Sequence, residues 1–125
     1  MGRKIEFVIG DKIIPAELND SATARLLAEK LPISVSFSKW GDEYYGSCGV
    51  DAQADSDARD IMEVGELAYW PPGKALCIFF GPTPASSDDR PRAASEANPI
   101  GKITGDASVF KSFGGSITGQ VREAG

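Results

Sequence analysis

Apolar residues recur with a period of two at the start of the chain. Ile5, Phe7 and Ile9 mark one face of a half-buried strand. Gly10-Asp11 is a turn signal, and residues 12–17 read as the hairpin partner. Asn19, Asp20 and Ser21 are residue types that cap helix N-termini. Ala24, Leu27, Ala28 and Leu31 then fall near helical spacing, so a helix is predicted over Ala22–Lys30. Leu31-Pro32 stops it, because the residue before a proline is pushed out of the helical region. Period two returns at Ile33, Val35 and Phe37. Trp40-Gly41-Asp42 marks a turn, residues 43–48 a short return strand, and the polar stretch 52–59 a loop.

Residues 61–64 and 67–70 read as strands divided by Gly65, and 75–80 as another with strand-like composition. Between these last two lies Pro71-Pro72-Gly73. The prolines cannot donate to a ladder and Gly73 eases a turn, so the diproline either blunts an edge strand or shapes a pocket rim. Residues 81–97, with Pro82, Pro84 and Pro91, read as a long loop that is either mobile or closes over a ligand. Residues 98–104 restore strand character. Gly105-Asp106-Ala107-Ser108 can cap a short helical turn running to Phe113, and residues 116–122 form the last strand. Residues 123–125 are expected to fray. Many short strands, glycine turns and one clear helix predict a mainly β fold, a closed barrel rather than an open sheet. The whole of residues 1–125 is expected to be one domain.

Charge and composition narrow the chemistry. The 125 residues carry 13 Lys and Arg against 18 Asp and Glu, a net charge of -5, which argues against nucleic-acid binding. No apolar stretch approaches membrane-spanning length, and residues 1–9 lack the apolar core of a signal peptide; a cytoplasmic home is expected. Cys48 and Cys77 read as buried free thiols. The sequence has no histidine, which excludes the usual Ser-His-Asp and Cys-His nucleophiles and every His-containing zinc site. Asp55, Asp57 and Asp60 lack the glycine and terminal Glu of a calcium loop. No metal or cofactor is expected. Ser36-Phe37-Ser38-Lys39 matches Ser-x-x-Lys but on a strand, where that motif has no catalytic meaning. Asp42 and Glu43 are adjacent, so on a strand they point to opposite faces, and a hydrogen-bonding role at the turn is expected of them.

Four segments resemble the small prokaryotic cyclophilin-like family: Trp40-Gly41-Asp42-Glu43-Tyr44-Tyr45, the run from Gly65 to Gly81 around Tyr69-Trp70-Pro71-Pro72-Gly73, Thr83-Pro84, and Asn98-Pro99-Ile100-Gly101-Lys102-Ile103. The resemblance runs from the first strand to the last. It implies a closed cyclophilin-like β-barrel of about eight strands with one clear helix and a second short one. True cyclophilins isomerise prolyl bonds with a strand Arg, a Gln and a proline pocket that includes a His and a Trp. Here residues 33–39 hold no Arg, residues 43–49 no Gln, and residues 81–97 neither Trp nor His. No catalytic residue carries over, and fold alone does not transfer activity.

Two readings of function follow. One is a module that binds proline-containing peptides, with weak or absent peptidyl-prolyl isomerase activity. The other is a small-molecule-binding module for an anionic or amide metabolite. The available aromatics are Trp40, Tyr44, Tyr45, Tyr69 and Phe80; the available donors are Arg59, Lys74 and Arg90. The ligand-binding set expected from them is Trp40, Glu43, Tyr45, Tyr69, Lys74 and Phe80, with Trp40 and Tyr69 favoured because each adjoins a turn.

Overall fold

Alternating burial along the first two strands shows how the sheet is built. Ile5, Phe7 and Ile9, then Ile14, Ala16 and Leu18, are all buried, while the residues between them are exposed or half-buried. The computed structural model describes residues 2–124. Its strands are β1 (Arg3–Ile9), β2 (Lys12–Leu18), β3 (Ile33–Lys39), β4 (Glu43–Ser47), β5 (Arg59–Ile61), β6 (Glu66–Trp70), β7 (Ala75–Phe79), β8 (Arg92–Ile103) and β9 (Ser116–Glu123). They follow the order β2-β1-β9-β3-β4-β7-β6-β8, every neighbour antiparallel. β8 then returns to β2, with Ala16 opposite Ile103 and Leu18 opposite Gly101. Eight strands thus close into a barrel. β5 stands outside that closure and pairs only with the first half of β8.

The helix α1 (Ala22–Lys30) begins where the cap residues predict. The Ser21 hydroxyl accepts the Ala24 amide at 3.2 Å, and Leu31 closes the last turn through Ala28. Thr23, Ala24 and Leu27 are its buried face. The second helix is a 3₁₀ segment, Ala107–Ser112, capped by the Asp106 carboxylate on the Ser108 amide. It carries Phe110 into the barrel, edge-on to Phe7 and stacked on Phe80 at 5.9 Å. Phe80 in turn stacks on Tyr44 at 5.5 Å. Each such fully buried ring contributes roughly 2–3 kcal/mol of transfer free energy. Among the described residues, no helix is long and apolar enough to cross a membrane.

A second apolar cluster lies on the other side of the same strands. It comprises Met62, Ala68, Ala75, Cys77, Phe79, Ala93 and Ala97, with Trp70 packed at its margin. Every residue of β7 is therefore buried, Leu76 and Ile78 inward, Ala75, Cys77 and Phe79 outward. The cover comes from β5 and the first half of β8. Arg92 ion-pairs Asp60 at 2.9 Å, and Arg59 forks onto Glu66, so the flap is pinned to β6 by charge.

Several expectations shift. Residues 92–97 are strand rather than loop; their alanines and charges have weak strand propensity, and pairing with β5 holds them. The strand expected at 61–64 is Arg59–Ile61 instead. Pro71-Pro72 blunts no edge, because β6 is paired on both sides; Pro71–Gly73 is a 3₁₀ turn joining β6 to β7. β9 runs on through Glu123, whose carboxylate pairs Arg3, and the Ala124 amide bonds Lys4; the fraying expected at residue 125 lies outside the described residues.

Candidate functional site

Strand parity selects which side chains meet. On β4, Tyr44 and Gly46 face the barrel interior, while Glu43, Tyr45 and Ser47 face outward. On β6, Leu67 and Tyr69 face inward, and Ala68 and Trp70 outward. Trp40, from the turn before β4, and Ala93 and Ala94, from the flap, complete an outer-face pocket of about 290 Å³ lined by Trp40, Glu43, Tyr45, Trp70, Ala93 and Ala94. The indole of Trp70 donates to the Ser95 hydroxyl at 2.8 Å. A Cβ on Gly73 would sit 3.0 Å from two ring carbons of Trp70, so the missing side chain there is what lets the indole lie across the diproline turn. The left-handed residue of that turn is Lys74, at φ 47°. Tyr45 and Trp70 also line a neighbouring depression with Ser36, Ser38 and Ser47.

Glu43 is the one carboxyl in the pocket wall, and it is only 4% exposed. Its Oε1 is buried without a hydrogen-bond partner among the described residues. Burial pushes its carboxyl from the ordinary 4.5 up to about 7, against a smaller downward pull from the Cys77 thiol beside it. At neutral pH the group is therefore close to half protonated, able both to accept and to donate. A buried polar atom left unpaired costs about 1–3 kcal/mol, so this carboxyl is held at the expense of stability. Burial, with Glu43 next to it, keeps the Cys77 thiol well above its usual range, and burial raises Cys48 as well. Both thiols are buried and unbridged, and neither offers a ready thiolate.

The expected site residues divide. Trp40, Glu43 and Tyr45 come together in the pocket wall. Tyr69 and Phe80 do not join them, since both are buried in the barrel interior. The Tyr69 hydroxyl donates to the Val50 carbonyl at 2.8 Å and accepts the Ala52 amide at 3.2 Å. Asn98, opposite Tyr69 in register, holds the Asp55 amide, the Gln53 carbonyl and the Thr23 hydroxyl. Together they fasten the loop after β4. Lys74 is exposed at the turn, 3.9 Å from Asp51. Of the other donors, Arg59 is engaged by Glu66 and Arg90 by Asp88. The turn role expected of Asp42 and Glu43 is carried by their backbones rather than their carboxyls: the Glu43 carbonyl accepts the Trp40 amide, and Asp42 bonds Pro82 and Phe80. Asp55, Asp57 and Asp60 do not converge: Asp55 accepts the Asp57 amide, and Asp60 pairs Arg92. Trp70 is the residue missed. Its signal was parity with Tyr69, but apolar residues on both faces of β6 left the parity unreadable.

Four of the six lining residues thus come from the two segments whose sequence is most distinctive, 40–45 and 65–81, and Ala93 and Ala94 come from the flap. A family model described as Cyclophilin-like matches residues 3–121. The chain belongs to the cyclophilin-like family. A structure similar to this cyclophilin-like chain is the solution structure of a hypothetical protein from Archaeoglobus fulgidus: 34% identity, TM-score 0.80, 98% of this chain and 95% of that one covered. None of the curated proteins matches the sequence. In this cyclophilin-like barrel the pocket wall contains no Arg, Gln or His, so its chemistry rests on Glu43 and three aromatic rings.

Proposed function

We propose that this cyclophilin-like protein is a binding module whose outer-face pocket seats the proline ring of a peptide, with weak or absent isomerase activity. The observation that carries this reading is the composition of the pocket wall: Trp40, Tyr45 and Trp70 around a single carboxyl, Glu43. Aromatic-lined grooves suit proline because its ring is apolar, rigid and already ordered before it binds. The neighbouring depression, with Ser36, Ser38 and Ser47, extends beyond Tyr45 and Trp70 and offers hydroxyls to a flanking peptide unit. Catalysis of prolyl rotation needs a donor that relieves amide resonance across a barrier of roughly 20 kcal/mol. The wall contains no Lys or Arg, the Trp70 indole N–H is spent on Ser95, and the donors that remain, the protonated fraction of Glu43 and the Tyr45 hydroxyl, are neutral. The same wall disfavours an anionic metabolite, which would meet a carboxyl and no cation.

Nuclear magnetic resonance titration with acetyl-Ala-Pro-Ala-amide tests the reading. Shifts centred on the Trp40 and Trp70 indoles and on Tyr45, lost in Trp70→Ala, are expected. Exchange spectra should show cis–trans interconversion near the uncatalysed rate, tens of seconds or slower. Absence of shifts at millimolar peptide, or shifts confined to other faces of the barrel, would refute it.

A further inference from the structure

We infer that the pocket prefers its ring in cationic form: an alkylammonium, such as the ring nitrogen of an N-terminal prolyl residue, lodged between Glu43 and the rings of Trp40, Tyr45 and Trp70. This rests on the outer-face pocket being a ligand site, and goes further by naming the charge of what it takes. Three observations converge. The Glu43 Oε1 is buried, without a partner among the described residues, in the wall of the pocket. Three of the other five lining residues are aromatic, and aromatic rings attract weakly hydrated cations. No basic side chain among the described residues ion-pairs Glu43. On β3, Lys39 donates to the Phe113 carbonyl and lies 5.8 Å from the Tyr44 and Phe80 rings. On β5 and β8, Arg59 and Arg92 are held by Glu66 and Asp60. Next to Glu43 in the chain, the Asp42 side chain packs against Gly81. On β7 the titratable neighbour is the neutral Cys77 thiol.

A single carboxylate among rings does not suit a calcium or magnesium ion, which wants six or more oxygens, nor a zinc ion, which wants several Cys or His ligands. It does suit a cation whose remaining surface is hydrocarbon. A small rotation of the Glu43 carboxyl would let an ammonium N–H give Oε1 the bond it lacks, and the charge would favour the ionised carboxylate. Binding of such a cation must then expel the proton Glu43 holds below about pH 7. Between about pH 6 and about pH 8 the ionised fraction rises about tenfold, and affinity should rise with it.

Calorimetric or fluorescence titration with prolinamide, N-acetylprolinamide and tetramethylammonium decides the matter. Prolinamide should bind about tenfold more tightly than its neutral acetyl form, tighten about tenfold from pH 6 to pH 8, and lose both properties in Glu43→Gln. Tetramethylammonium separates two sources of the same chemistry. Its binding extends the site to methylated ammonium groups, whereas failure beside tight prolinamide binding restricts it to a cation with an N–H. Either result keeps the cation assignment. Acetylprolinamide binding as well as prolinamide, and weakening as pH rises, would overturn this inference while leaving the proline pocket intact, because Glu43 would then be donating as an acid. If none of the three binds, both readings fall. The pH profile of the unaltered protein carries the test without relying on a variant.

Discussion

Replacing Glu43 by glutamine should make the protein more stable above neutral pH and leave it little changed near pH 4.5. In the folded state this carboxyl keeps its proton up to about pH 7, because its buried position disfavours charge; the unfolded chain releases it near 4.5. Between those values the native state binds more protons than the unfolded state, so stability falls as pH rises. Each pH unit costs about 1.4 kcal/mol, and over the interval from 4.5 to about 7 the loss accumulates to about 3 kcal/mol. That is a large share of the 5–15 kcal/mol typical of a folded domain, and it corresponds to a melting shift of about 10 °C. Glutamine has nearly the same shape and never ionises. Urea unfolding of both proteins at intervals from pH 4.5 to 8.5 should give curves that meet at the acid end and part by about 3 kcal/mol at the alkaline end. Asp60, Asp88 and Asp106, each held below its usual range by a hydrogen bond, act in the opposite direction at lower pH and cancel in the difference. Parallel curves, or a glutamine variant that is less stable at pH 8, would refute the reasoning.

Two further outcomes test the placement of residues. Tyr69→Phe removes the hydroxyl shared by Val50 and Ala52 and should cost about 1–3 kcal/mol. Amide exchange over residues 50–55 should quicken while peptide affinity at the outer pocket stays the same; a fall in affinity with unchanged exchange would contradict the inward placement. Gly101→Ala puts a Cβ 2.1 Å from the Glu17 carbonyl, at the seam where β8 meets β2. Since backbone must move, the loss should be about 3 kcal/mol or more in a denaturation series, and an unaffected variant would mean that the seam does not close.

The barrel was legible because its inner face is written in period two. Ile5, Phe7 and Ile9, then Ile33, Val35 and Phe37, announce their strands, and the Asn19-Asp20-Ser21 cluster announces the helix. The flap was not legible. Arg92 to Ala97 is alanine and charge, and its strand exists because β5 lies beside it and because Asp60 and Arg92 meet across that pairing. The site was half legible for a related reason. Trp40 and Tyr45 lie in a turn and on a strand with one wet face, whereas β6 is covered on both sides. Nothing local tells Tyr69 from Trp70 there; only the second cluster, made of residues distant in sequence, decides which one looks out.

That second cluster has a consequence for how the protein can change. Glu43, Tyr45 and Trp70 share strands with Tyr44, Gly46 and Tyr69 but point away from the barrel interior. Ala93 and Ala94 belong to a flap that contributes nothing to barrel closure. On the proposed reading, specificity and foldability are written on alternate letters of the same strands. Ligand preference can be rewritten at the outward positions, and the flap lengthened or recoloured, while the inward set goes on specifying the barrel. A library confined to positions 40, 45, 70 and 94 should yield folded proteins with many different appetites.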